Sequence, residues 1–568
     1  MSFRSIPNLQ QQCDQMNSFH SRLRREKREK IINQKRMELP SPKMTSEEFY
    51  DVLKQLKEHE ETSFALNRFS EVIEQTNGRF LDLFHHENGF EIIKEIVDKE
   101  MNNLNNLNNF NNNENNNTNC INNNNDQNEN EILQSCLIFL KKVTFYTKHY
   151  HWIFHSYHII ECLYTLIINE NYSLRKDILF ILIDLIDSQN YKYFQNEKNV
   201  ITEDVIIQTI LPLMNKSFHL YFNSNQRNNL NENERYEIDL LSHLFAVITS
   251  HYQLEYECYE EFIIQLFSLE YLSHYFIDGI TELLHQEKCC EKLFHIESFF
   301  QRIISFIDTS HSSVCLSSFD LLIEMTRLSN EMFSNIIIKM NLVPFIFNVM
   351  KQRIDLVEKE MFKTNTQKQN DMEIETEENE INQIEINYQL NEQLIDTIKR
   401  TRSKIHFNFD YYFFFFGYFI RNYTQFLNQF DFKEILSIII NNYQLFSQEE
   451  YPAIVLFINQ LFINENNSSI EFYRICCQEI FFVFYSDFLR MNETNSMLIF
   501  QSLCVLEKLI RHGKELYENE IYEFNQMLLN CRLEIPLNEL KYHWNDEIIE
   551  KANSLIDLVY ENDDEDVL

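Results

Sequence analysis

Glycine and proline are scarce: 5 Gly and 7 Pro serve 568 residues. A β-sandwich or a doubly wound α/β fold needs those residues at its tight turns, so both classes are excluded and a nearly all-helical chain remains. Gly78, Gly89, Gly279, Gly417 and Gly513 are isolated from one another. Without closely spaced glycines the backbone cannot approach a phosphate, so no P-loop or dinucleotide fingerprint exists. An apolar run of about 18 residues, the length that crosses a bilayer, is also missing, and the N-terminus has no signal-peptide core. The most apolar stretch, FNFDYYFFFFGYFI at 407–420, carries Asp410 inside and Arg421 just after it. It reads as a helix buried in a large core.

The 12 cysteines contain no CxxC, only the vicinal pairs Cys289/Cys290 and Cys476/Cys477. Neither a disulfide framework nor a zinc ribbon is indicated, which places the chain in a reducing compartment. His151, His155 and His158 in HYHWIFHSYH fall on one face if the stretch is a single helix. With no Cys or carboxylate in register, they read as core-edge histidines rather than a zinc site. Cys289 and Cys290 near His295 lack an oxyanion element or third partner. No catalytic residue, metal or cofactor is therefore assigned, and the chain is read as a non-enzyme.

Positive charge is in deficit: 50 Lys and Arg face 86 Asp and Glu, for a net charge of −36. Such a body is poorly suited to nucleic acid and well suited to basic partners. The exception is the N-terminal segment SRLRREKREKIINQKRMEL, where Arg22, Arg24, Arg25, Lys27, Arg28, Lys30, Lys35 and Arg36 are opposed only by Glu26 and Glu29. This block is aimed at something acidic.

Composition divides the chain into a polar, basic arm (1–44), helical blocks at 45–357 and 389–560, an acidic insert (358–388) and an acidic tail (561–568). The asparagine tract at 102–130 reads as a disordered loop, because it offers too little apolar surface to offset its ordering entropy. The 49 Phe and 28 Tyr supply many faces to bury. Within the blocks, 64–97 and 305–350 share one layout: an apolar helix, a polar break, and a last helix entered through Gly89 or through Val343-Pro344. The segment 173–194 supplies another central helix. Repeats of about 40 residues in this order give an armadillo array, an all-α, right-handed superhelix, or α-solenoid, with a concave groove. Helix pairs of the HEAT type would read the same at 200–300 and 390–530.

The segment LRREKREKIINQKR (23–36) resembles the importin-β-binding segment of the importin α family, with its Leu-Arg-Lys step, basic pair and final basic cluster. At the other end, Asn545, Glu547, Ile548, Lys551, Ala552, Leu555 and Ile556 are similar in order to the family's last armadillo repeat, and the acidic tail follows. The resemblance implies a nuclear-import adaptor, shuttling between cytoplasm and nucleus. Its arm, through Arg22, Leu23, Arg24, Arg25, Lys27, Arg28, Lys35 and Arg36, would bind importin β. Its groove would bind cargo with a basic nuclear localisation signal, and a nuclear export receptor would recycle it. The family's groove carries Trp-x-x-x-Asn pairs, and this chain has only Trp152 and Trp544. The matching positions hold Ile138/Lys142 and Phe180/Asp184. Phe180 would pack on a lysine stem and Asp184 pair with its charge, whereas Lys142 would oppose a basic peptide. The alternative reading is a cytosolic armadillo or HEAT scaffold with no transport role.

Overall fold

The computed structural model describes residues 44–560 except 77, 79, 114–122, 148–150, 167–171, 188–200, 222–229, 270, 287–288, 290–291, 294–296, 308–312, 329–330, 373–408, 424–431, 443–445, 465–469 and 492–494. Among the described residues every regular element is a helix and no strand occurs. The chain divides into two compact units, Met1–Thr202 and Glu203–Leu568.

The first unit opens with α1 (Ser46–Lys57), capped by Thr45, whose hydroxyl accepts the Glu48 amide at 3.2 Å. It continues through α2 (Thr62–Thr76), α3 (Leu81–His86), α4 (Gly89–Asn113), α5 (Asn123–Tyr146), α6 (Trp152–Ser156), α7 (Ile159–Leu166) and α8 (Tyr172–Asp187). Leu66, Phe69 and Ile73 recur at helical spacing on α2 and are fully buried. Phe69 meets Phe84 edge-on at 5.1 Å, and Phe84 meets Phe90 at 5.1 Å and Phe139 at 5.3 Å. This aromatic chain joins α2, α3, α4 and α5. One column of helices forms as α2 packs on α5 and α5 on α8, and a second as α4 packs on α7.

The second unit repeats the plan. It contains α9 (Leu211–Tyr221), entered through a π-helical turn at Ile206–Ile210, then α10 (Glu232–His251), α11 (Tyr256–Phe267), α12 (His274–Leu284) and α13 (Glu297–Ile307). Next come α14 (Ser313–Arg327), α15 (Glu331–Lys339), α16 (Leu342–Met372), α17 (Asp410–Asn422), α18 (Phe432–Asn441) and α19 (Tyr451–Asn464). The unit closes with α20 (Ile470–Cys476), α21 (Glu479–Arg490), α22 (Ser496–Leu516), α23 (Ile521–Asn530), α24 (Glu534–Leu540) and α25 (Asp546–Tyr560). The column runs α10, α12, α14, α17, α19, α22, α25, each packed on the next. Apart from the step that spans the insert, its helices start about 40 to 50 residues apart, the armadillo and HEAT period. The fold is thus an all-α solenoid of armadillo/HEAT type. Single partners α11 and α13 make HEAT-like pairs, whereas α15/α16, α20/α21 and α23/α24 add the short helix of an armadillo triplet.

Four triplet corners share one backbone device. Asn88, His158 and Asn341, immediately before α4, α7 and α16, and Arg532, two residues before α24, have φ of 59°, 54°, 51° and 54°. The sequence reading puts Gly89 at the first of these turns; the left-handed residue is instead Asn88, and Gly89 begins α4 where the Phe84 ring approaches. Gly279 has a packing role, since a Cβ there would lie 2.6 Å from the Phe245 ring and 3.1 Å from the Ala246 Cα. It lets α12 approach α10 closely.

Both composition-biased segments carry more helix than their sequence implies. In the asparagine tract, read as a loop from 102 to 130, α4 extends to Asn113 and α5 begins at Asn123. Likewise α16 runs to Met372, inside the insert read as looping out. The insert does not divide the second unit, because α14 and α17 pack together across it. The aromatic stretch around Asp410 forms α17, with Tyr412, Phe413, Phe415, Phe416 and Phe419 fully buried. Among the described residues no helix is long and apolar enough to cross a membrane.

Candidate functional site

The arm residues Arg22, Leu23, Arg24, Arg25, Lys27, Arg28, Lys35 and Arg36, and the tail at 561–568, lie outside the described residues. The four groove positions are described. Ile138 and Lys142 lie one turn apart on α5, Phe180 and Asp184 one turn apart on α8, and all four are half-buried.

Each polar member of this set engages its own chain. Lys142 Nζ donates to Glu74 Oε2 of α2 at 2.9 Å. The Thr144 hydroxyl donates to Asp184 Oδ2 at 3.3 Å. Phe180 does lie under a lysine, but that lysine is Lys141, whose Nζ is 4.1 Å from the ring centroid and 2.8 Å from Asp177 Oδ1. The aromatic-on-lysine contact that the resemblance implies for a ligand is therefore made within the protein. Together with Arg68, which bridges Glu48 at 2.6 Å and Glu71 at 3.0 Å, these pairs give α2, α5 and α8 a charge-compensated face.

The corresponding face of the second unit has a different character. Arg235, Asp239 and His243 follow one another at four-residue steps on α10, while Tyr271, Tyr275, Asp278, Glu282 and His285 share one stripe at the start of and along α12. The Tyr271 hydroxyl donates to both Asp239 carboxylate oxygens at 2.9 Å, and the Arg235 guanidinium sits 5.7 Å from the Tyr271 ring. His243 stacks on Tyr275 at 4.1 Å with the planes 9° apart. On α14, Glu324 lies 3.6 Å from His285 and accepts Arg327 Nε at 2.9 Å. Surrounding protein raises the Glu282 carboxyl above the ordinary carboxylate value, and Glu324 and Asp278 add to the rise while His285 and His251 oppose it. Asp239 and Glu324 are thus engaged within the chain, as the carboxylates of the first unit are, whereas the Glu282 carboxylate stands on the same stripe as the Tyr271 and Tyr275 rings, where a lysine or arginine can be taken up.

Sequence reasoning missed this strip. Its signal, the spacing of Arg235, Asp239 and His243 against Tyr271, Tyr275, Asp278 and Glu282, is visible only once the helix register between 200 and 300 is fixed.

The enzyme-like features come apart in the structure. His151 precedes α6, is buried, and has Nε2 3.0 Å from the Thr144 carbonyl. His158 follows α6 at a left-handed corner, exposed and 3.1 Å from Glu161 Oε1, so the two do not share a helical face. Among the described residues no group of three His, Cys, Asp or Glu side chains could hold a metal ion. The Cys289 thiol is fully buried, sits 3.7 Å from the Leu254 carbonyl oxygen, and is pushed up to about 11 by burial, which suppresses nucleophilicity. Cys290 and His295 lie outside the described residues. Every described cysteine is a free thiol.

No family model matches the chain, and no curated protein matches it. Among solved structures it is similar to one from a study of the phosphorylation switch between cadherin and β-catenin, at 10% identity and TM-score 0.36, covering 90% of this chain and 94% of that one. It is similar to importin β at 9% identity and TM-score 0.38, covering 90% of this chain and 57% of the other. It is also similar to the SYS-1 complex with POP-1 at 10% identity and TM-score 0.34, covering 90% and 98%.

Proposed function

We propose that this protein is a binding adaptor that takes up extended basic segments of other proteins along the face of α10, α12 and α14. The observation that carries this reading is the continuous strip from Arg235 and Asp239 through Tyr271, Tyr275 and Glu282 to Glu324. Its aromatic faces suit aliphatic stems and its carboxylates suit cationic heads. The basic arm and the order of elements from arm to tail support a finer reading, a nuclear-import adaptor of the importin α kind that joins a basic cargo signal to importin β and shuttles between cytoplasm and nucleus. The engagement of Lys142, Lys141 and Phe180 within the chain favours a second reading, a scaffold with no transport role.

Two measurements separate them. Fluorescence anisotropy with a lysine-rich peptide and the full chain should show binding that Glu282→Lys and Asp278→Lys abolish; an unchanged affinity refutes the strip as the site. Pull-down by importin β should succeed with the native chain and fail after Arg24, Arg25, Lys27 and Arg28 are reversed to Glu. Absence of capture by the native chain leaves the scaffold.

A further inference from the structure

We infer that a second docking site lies on the α11 side of the second unit, and that it takes a partner helix bearing bulky apolar side chains flanked by lysine or arginine. A cavity of about 610 Å³ opens there, lined by Tyr256, Ile263, Ile264 and Phe267 of α11, Ile280 of α12, and Phe299 of α13. Its size falls within the range of about 300–1,000 Å³ that seats several apolar groups.

The apolar stripe of α11 explains the opening. Tyr256, Ile263 and Phe267 lie along one face, and Ile264 beside them is 58% exposed although it belongs to that apolar surface. Phe267 and Phe299 close one end at 5.2 Å, and the Arg302 guanidinium pins it by donating to the Phe267 carbonyl at 2.6 Å. The cavity therefore has a fixed wall and one accessible aliphatic lip.

Charge at the rim selects the occupant. Glu257, Glu260 and Glu261, at i, i+3 and i+4 on α11, are exposed, and Glu260 and Lys292 are the charged residues lining the cavity. Lys292 pairs with Glu257 and sits 5.5 Å from the Tyr256 ring, so these two charges cancel locally; Glu261 accepts Asn215 Nδ2 at 2.9 Å, and Glu260 is the carboxylate that lines the cavity itself. An anionic lipid surface or a fatty carboxylate would be repelled by this rim. A second copy of a chain carrying −36 charges would be repelled as well. An amphipathic helix with leucines one turn apart and lysines beside them satisfies both the cavity and the rim.

The site is separate from the strip on α10, α12 and α14, and the test keeps the two apart. Isothermal titration of the full chain would use a synthetic amphipathic peptide with paired leucines and lysine flanks, and two controls, one with leucines changed to alanine and one with lysines changed to glutamate. The leucine-lysine peptide should bind, each control should lose roughly tenfold or more, and Ile264→Lys and Glu260→Lys should each weaken binding by a similar factor. Glu282→Lys should leave it unchanged. Ile264 and Glu260 are exposed, and circular dichroism would establish that both variants stay folded. The inference is overturned if the peptide fails to bind, if both α11 variants bind it normally, or if the glutamate-flanked control binds equally. Loss through Glu282→Lys alone would also overturn it, by assigning the peptide to the other face.

Discussion

Asn459, Tyr485 and Ser502 are fully or almost fully buried and tie α19, α21 and α22 together through side chains. The Tyr485 hydroxyl donates to Asn459 Oδ1 at 2.7 Å, Asn459 Nδ2 donates to Ser502 Oγ at 3.0 Å, and Ser502 Oγ donates to the Leu498 carbonyl at 2.7 Å. Changing Asn459→Ala removes the acceptor of a fully buried phenol. The orphaned hydroxyl costs about 1–3 kcal/mol, and lost packing adds about 1 kcal/mol, for roughly 3 kcal/mol in all. Ser502 keeps its bond to Leu498, so it adds little. Tyr485→Phe should cost about 1–2 kcal/mol by stranding Asn459 Oδ1. Combining Asn459→Ala with Tyr485→Phe removes both members and should cost less than the two single changes together, with a coupling of about 1–2 kcal/mol. Because a solenoid opens locally, the assay is hydrogen exchange of peptides spanning 451–464, 479–490 and 496–516 rather than a global melt. Strictly additive effects, or faster exchange spread evenly over both units, would refute the idea that a coupled network joins these helices.

Three further outcomes are expected. Gly279→Ala forces α12 away from Phe245, costing about 1–3 kcal/mol by overpacking, and should weaken lysine-peptide binding by disturbing the Tyr271 to Asp239 bond; unchanged melting and affinity would count against the close approach. Arg532→Gly should stabilise the α23–α24 corner by about 1 kcal/mol in local exchange, and Arg532→Val should do the reverse. Glu507 accepts Lys551 and Arg511, and these bonds hold its carboxyl below the usual range. Its folded value is depressed, so its contribution is full above the ordinary carboxylate pKa of about 4.3 and is lost as pH falls through the folded value. Exchange in α25 should accelerate over that acid range in the native chain, with the pH dependence reduced in Glu507→Gln.

Helical class and repeat layout were legible because the shortage of glycine and proline removes β alternatives and because 64–97 and 305–350 hold a clear apolar period. The last column helix was also legible: Ile548, Ala552 and Leu555 recur at helical spacing and all are fully buried in α25. Register between 200 and 300 was not, since two-helix and three-helix repeats bury the same spacing. The strip on α10 and α12 was hidden with it. The sequence reading sets Phe180 against the lysine stem of a ligand; in the structure Lys141, from the neighbouring helix, lies over that ring, a contact that spacing alone does not reveal. In the tract at 102–130 composition points to a loop, whereas α4 extends to Asn113 and α5 begins at Asn123.

The corners at Asn88, His158, Asn341 and Arg532 bear on how such a chain can change over generations. His158 and Arg532 hold a Cβ in left-handed backbone at a cost of about 1–2 kcal/mol each that glycine would largely avoid, while Asn88 and Asn341 tolerate that backbone at a smaller cost. Several kcal/mol of stability therefore lie within reach of single substitutions that leave both columns of helices in place. A lineage carrying that reserve can absorb destabilising changes on its binding faces and recover by converting a corner. The positions that make its turns unlike glycine turns are thus also the positions from which new recognition surfaces can be supported.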